Sequence, residues 1–80
     1  MNDLEITDID SQIKLNRLSI GKSLKLIRET RGYSQEQLAE MMQVNRSTIV
    51  KIENGKFGIT VDFLAKASIM LNYEFKVIER

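Results

Sequence analysis

Apolar positions recur at helical spacing through most of this chain. Leu38, Ala39 and Met42 fall at i, i+1 and i+4, and Ile49 and Ile52 at i and i+3. Two short segments therefore each turn an apolar side toward a shared core. Ser34 is placed to cap the first segment and Asn45 the second, while Asn54-Gly55 reads as a stop. The pattern predicts two helices joined by a tight turn, the second covering Arg46 to Glu53. Upstream, Ile20, Leu24 and Ile27 show the i, i+4, i+7 spacing of a core face, predicting a helix from a Ser19 cap to about Arg31, closed by Gly32. Downstream, Thr60 caps a fourth helix reaching about Leu71. Past Asn72 the period drops to two: Tyr73, Phe75 and Val77 alternate with Glu74, Lys76 and Ile78, the signature of a strand. The expected fold is mostly α, four helices followed by one C-terminal β-strand.

This divides the chain into an N-terminal arm (1–17), a helical domain (18–72) and a C-terminal strand (73–80). In the arm, Leu4, Ile6, Ile9 and Ile13 lie scattered among acids and amides, which reads as a flexible start, with a short strand at Leu4–Thr7 as the alternative. A lone strand leaves its backbone groups unpaired. Residues 73–80 are therefore expected to pair with their copy in a homodimer, the rival being pairing with Leu4–Thr7. The fourth helix points the same way. Only Asp62 and Lys66 mark a polar side, and Val61, Phe63, Leu64, Ala65, Ala67, Ile69, Met70 and Leu71 cover most of the rest. A single core face needs little more than ~100° of apolar arc. Phe63, Ala67, Met70, Tyr73, Phe75 and Val77 are the expected dimer contacts; the alternative is a helix sandwiched between the core and the arm.

Composition narrows the function. The 80 residues contain no cysteine and no histidine, which removes disulfides, thiolate metal sites and the commonest general base. The acids form no paired-carboxylate arrangement, so no enzyme, metal or cofactor is expected. No apolar run approaches the ~20 residues of a membrane span, and the expected location is cytoplasmic. Net charge is only +1, but its distribution is uneven: residues 1–18 hold four acids and two bases, residues 19–58 seven bases and four acids. Positive charge therefore gathers on the two-helix segment, where neutralising phosphates would need it. An ordinary solvated face would look the same on charge alone.

Side-chain type makes the case sharper. At roughly 100° per residue, Arg46, Ser47, Val50 and Lys51 lie opposite Ile49 and Ile52. Arginine offers a fork to guanine, serine can bond either base edge, and valine can meet a thymine methyl; these four are the expected base readers of double-stranded DNA. Ser34 and Gln35 begin a helix, where free N–H groups suit a phosphate. Asn45, at the start of the next helix, is a further expected phosphate contact. Lys22 and Lys25 are read as solvated. The competing class is a protein-interaction module that keeps this scaffold without DNA.

The runs Gly32–Glu40, Val44–Ile49 and Ile52–Lys56 resemble the phage-repressor helix-turn-helix family, also called Xre or lambda-repressor-like, over about Leu18 to Leu71. The resemblance implies a sequence-specific transcriptional repressor acting on a near-palindromic operator. It implies that Gln35 and the Asn54-Gly55-Lys56 segment hold the DNA backbone from opposite sides. It also implies a partly buried ion pair between Arg28 and Glu53. Gln43 departs from the family, which usually has glycine at that position of the turn, where φ is often positive. The C-terminal strand directly after helix four further resembles antitoxins of the HipB type, which would imply autorepression and a kinase-like toxin as partner.

Overall fold

The computed structural model describes residues 8–56 and 58–79. Among the described residues there are four helices: α1 (Ile9–Thr30), α2 (Gln35–Met42), α3 (Arg46–Glu53) and α4 (Val61–Leu71). The core is built from Leu24 of α1, Leu38, Ala39 and Met42 of α2, Ile49 and Ile52 of α3, and Ala67 and Leu71 of α4. Helix α3 packs on both α1 and α2, and α4 packs on α2. The predicted α2 and α3 are present with the expected bounds and core faces.

Local signals place the helix ends. Ser34 accepts a bond from the Gln37 N–H while the Gln37 side chain accepts from the Ser34 N–H, a reciprocal capping box that opens α2. Thr60 accepts from the Phe63 N–H and opens α4. Helices α1, α2 and α3 close on paired backbone bonds around a left-handed residue: Gly32, Gln43 and Gly55 respectively. Gln43, with φ 57° and ψ 44°, takes the positive φ expected of its place in the turn. Its N–H reaches the Glu40 carbonyl at 3.1 Å and the Val44 N–H reaches Ala39 at 3.0 Å, so the turn closes normally without glycine.

Two glycines set the crossing of α1 over α3. A β-carbon on Gly21 would overlap the Ile52 carbonyl oxygen, and one on Gly55 would lie 2.9 Å from the Leu18 Cα. The backbones touch there because neither residue has a side chain. Ile20 is consequently more exposed than expected: the face of α1 turned to α3 carries Gly21, Leu24 and Arg28.

Several expectations are corrected. Helix α1 begins at Ile9, well before Ser19, so residues 9–17 are helical and form no arm. Nothing in Ile9–Leu18 breaks a helix, and most of it is exposed among the described residues. The proposed strand at Leu4–Thr7 lies outside the described residues. Among the described residues there is no β-strand; Tyr73–Glu79 is irregular. A strand exists only through its ladder, and among the described residues this segment has no such partner. It runs instead beside α1, where Tyr73, Phe75 and Ile78 with Ile20, Leu24, Ile27 and Leu64 line an apolar cleft of about 330 Å³. The expected dimer contacts also change. Ala67 is fully buried at the core, and Phe63, Met70 and Tyr73 are half-buried against it. The apolar residues that α4 leaves open are Val61, Ala65 and Ile69, spaced four apart on one stripe.

Candidate nucleic-acid interface

Helix α3 presents Arg46, Ser47 and Lys51 to solvent, while Ile49 and Ile52 are buried. Val50 is half-buried at the edge between the two sides. The eight residues of α3 therefore separate into a core side and a polar, cationic side, as their spacing predicts.

What holds α3 in place is an ion pair set into the core. Arg28 Nε donates to Glu53 Oε2 at 2.7 Å and Nη2 donates to Oε1 at 3.0 Å. The third guanidinium nitrogen, Nη1, donates to the Tyr33 carbonyl at 2.7 Å. Both residues are buried, at 6% and 4% exposure. The bond to Glu53 raises the Arg28 pKa above its already high ordinary value, outweighing the opposing effect of burial. The fork joins the last turns of α1 and α3, so the angle at which α3 leaves the core is tied to α1 through two parallel bonds.

Gln35 joins this pair. Its amide nitrogen donates to Glu53 Oε1 at 3.1 Å. The side chain expected to reach a phosphate is thus half-buried and anchored to the end of α3, with one amide N–H spent on the carboxylate. Ser34 likewise spends its hydroxyl oxygen on the capping box. Asn45 takes the N-cap position of α3 with extended backbone, but its side chain makes no capping bond, so it stands exposed at the helix start. Asn54 and Lys56 are exposed at the other end of α3, and Gly55 is half-buried against Leu18.

The structure brings Lys25, Arg28, Ser34, Gln35, Glu36 and Arg46 together around one polar depression. It thereby joins the start of α2 to the start of α3 and adds Lys25, read from sequence as merely solvated. Lys25 stands one helical turn before Arg28 on α1, and that spacing was the available signal. Not every cation is free. Arg31 donates to the Leu71 and Asn72 carbonyls at 2.9 and 3.0 Å, closing α4, and Lys66 donates to the Met42 carbonyl at 2.9 Å, closing α2. Of the seven bases in residues 19–58, Arg28 and Arg31 are engaged internally, leaving Lys22, Lys25, Arg46, Lys51 and Lys56 exposed.

The helix-turn-helix family model matches residues 24–78, which covers every element of this surface. The chain belongs to the helix-turn-helix family. Its type is that of the phage-repressor, or Xre, proteins, which are DNA-binding transcriptional regulators. Helix-turn-helix relatives bear this out. The chain is 34% identical over 53 residues to the competence pilus inhibition repressor of Acinetobacter baylyi, a match spanning 62% of this chain and 48% of that protein. The chain thus spans about half the length of the curated relative it matches. Its fold is similar to the restriction-modification controller protein C.AhdI from Aeromonas hydrophila, with a TM-score of 0.71, 27% identity, and coverage of 75% of this chain and 91% of that one. In this helix-turn-helix, α2 and α3 are the paired helices and α3 is the one whose outer side is open. Among the described residues no helix is long and apolar enough to cross a membrane.

Proposed function

We propose that this chain is a sequence-specific repressor that binds a near-palindromic operator as a homodimer. The observation that carries the proposal is the outer side of α3: Arg46, Ser47 and Lys51 are exposed on a helix whose opposite side is locked to α1 through Glu53. Arg46, Ser47, Val50 and Lys51 read base edges in the major groove. Lys25, Ser34, Gln35 and Asn45 hold the phosphates near the starts of α2 and α3, while Asn54, Gly55 and Lys56 hold those past the end of α3. The remaining amide N–H of Gln35 is the one that reaches the backbone.

Dimerisation uses the apolar stripe left open on α4, with Val61 and Ile69 at 69% and 78% exposure, together with Phe75 and Val77 of the C-terminal segment. A two-fold axis also supplies the ladder partner that the segment 73–79 lacks among the described residues. Recognition helices spaced about one DNA turn, ~34 Å, then require two inverted half-sites. The HipB-type antitoxin reading, with its kinase-like toxin, depends on strand pairing across that axis.

Selection from a random double-stranded DNA pool tests the proposal. Enrichment of one inverted-repeat sequence is the expected result. Binding no tighter to enriched than to random DNA would favour the protein-interaction module instead.

A further inference from the structure

The N-terminal half of α1 lies outside the residues matched by the family model, which begin at position 24, and it carries an apolar seam of its own. Ile9, Ile13, Asn16 and Ile20 are spaced 4, 3 and 4 apart, the d-a-d-a rhythm of a coiled-coil seam. Ile9 and Ile13 are 47% and 46% exposed. The same rhythm continues at Ser23 and Ile27, where the chain's own segment from Tyr73 to Ile78 lies beside it. The upper part of the seam has its cover, and Ile20 sits at the edge of that cleft, 36% exposed; Ile9, Ile13 and Asn16 have no cover among the described residues.

We propose that this part of α1 pairs antiparallel with α1 of a second copy, through a contact distinct from the α4 stripe. Charge identifies the occupant. The seam is flanked on one edge by Asp10 and Arg17, which are seven residues apart and so occupy equivalent positions of successive heptads. Antiparallel pairing of Ile9 with the copy's Ile20, and of Ile13 with the copy's Asn16, sets Asp10 beside the copy's Arg17. The two-fold axis makes the same pair again. A parallel arrangement would instead put Asp10 and Arg17 on the opposite side of the seam from their copies, with Arg17 facing Gln12 of the copy, and would form no such ion pair.

Arg17 gives independent support. Its Nε is buried yet has no hydrogen-bond partner among the described residues. A buried donor without an acceptor is costly, and turning the side chain out to a carboxylate arriving along that edge relieves the cost. Asn16 contributes specificity, since a polar residue within an apolar seam disfavours other registers.

The size of the contact bounds its strength. From Ile9 to Ile20 the helix rises roughly 17 Å, and a seam of that length buries less than the ~800 Å² per partner of a stable interface. It therefore forms weakly between free molecules. Copies held side by side on DNA meet at a higher effective concentration, where the contact becomes significant.

Disulfide trapping tests the pairing, because the chain has no native cysteine. Ile13→Cys and Asn16→Cys are made as separate full-length variants, mixed, and oxidised at high protein concentration. The expected result is a 13-to-16 cross-link several-fold more abundant than either homodimeric cross-link. It should exceed that of the off-seam control Leu26→Cys, should fall in Asp10→Arg, and should recover when Arg17→Asp is added. Circular dichroism of each variant confirms that α1 is retained. A 13-to-13 product in excess, or yields no greater than the control, would overturn the proposal; the latter would assign the seam to a different protein. Neither outcome touches DNA recognition by α3.

Discussion

Arg28 and Glu53 face each other across 25 positions of sequence as a buried two-bond fork, Nε to Oε2 at 2.7 Å and Nη2 to Oε1 at 3.0 Å. A buried ion pair adds little net stability over an apolar pair of the same shape, but breaking it strands a charge at ~3–5 kcal/mol. Arg28→Met should therefore lower the melting temperature markedly, and adding Glu53→Gln should recover part of the loss. A thermal double-mutant cycle checks this. Additive losses would mean that the two side chains do not interact.

Gly21 should not tolerate a side chain. In a helix interior, alanine is favoured over glycine by roughly 0.5–1 kcal/mol. Here the added carbon would overlap a main-chain oxygen of α3, which cannot turn away as a side chain would. Overpacking of this kind costs typically ~1–3 kcal/mol, so the clash outweighs the helix preference. Gly21→Ala is expected to lower the denaturant midpoint; an unchanged or higher midpoint would mean that α1 and α3 do not touch there.

Gln43 offers the opposite change. A left-handed conformation costs a side-chain-bearing residue about 1–2 kcal/mol, partly offset because glycine loses more freedom on folding. Gln43→Gly should therefore stabilise the protein by roughly 0.5–1 kcal/mol. Urea unfolding measures it, and a loss of stability would show that the Gln43 side chain makes a compensating contact.

Burial pushes the Tyr73 phenol above its ordinary value of 10.0. The folded state thus holds the proton more tightly than the unfolded state. Its contribution to stability is complete below pH 10.0 and is lost as pH rises through the folded-state value. In a Tyr33→Phe background, ultraviolet titration should find the remaining tyrosine ionising later than free tyrosine. Ionisation at the free value would place Tyr73 in solvent.

The parts of this fold legible in sequence are those where local and tertiary signals agree. Ser34, Asn45 and Asn54-Gly55 punctuate α2 and α3, and Leu38, Met42, Ile49 and Ile52 give each helix one buried side. Gln43 was legible because its place in the turn demands positive φ. The first half of α1 was not, since Ile9 and Ile13 stand among acids and amides and two apolar positions are too few to mark a helix by themselves. Gly21 was silent for another reason: a glycine inside a helix says nothing about what crosses it. The alternation at Tyr73–Ile78 is legible as a pattern, but a strand is a property of two segments, and the described residues pair this one with no other. Ala67 was misplaced because a small apolar residue marks a close helix contact as readily as a surface stripe. At the DNA-facing surface, exposure of Arg46, Ser47 and Lys51 followed from the helical wheel. The inward turn of Gln35 toward Glu53 required the folded chain.

The most direct test of base reading by α3 compares Arg46→Ala with Lys56→Ala on the selected operator and on random DNA across a range of salt. Arg46 is exposed at the start of α3 and Lys56 lies past the end of the helix. Arg46→Ala should cost ~1–3 kcal/mol on the operator, relaxing preference at one base pair, with little added loss on random DNA. Lys56→Ala should weaken both DNAs alike and reduce the salt slope by ~1. Equal losses on both DNAs for both variants, or no loss from Arg46→Ala, would contradict sequence reading by α3.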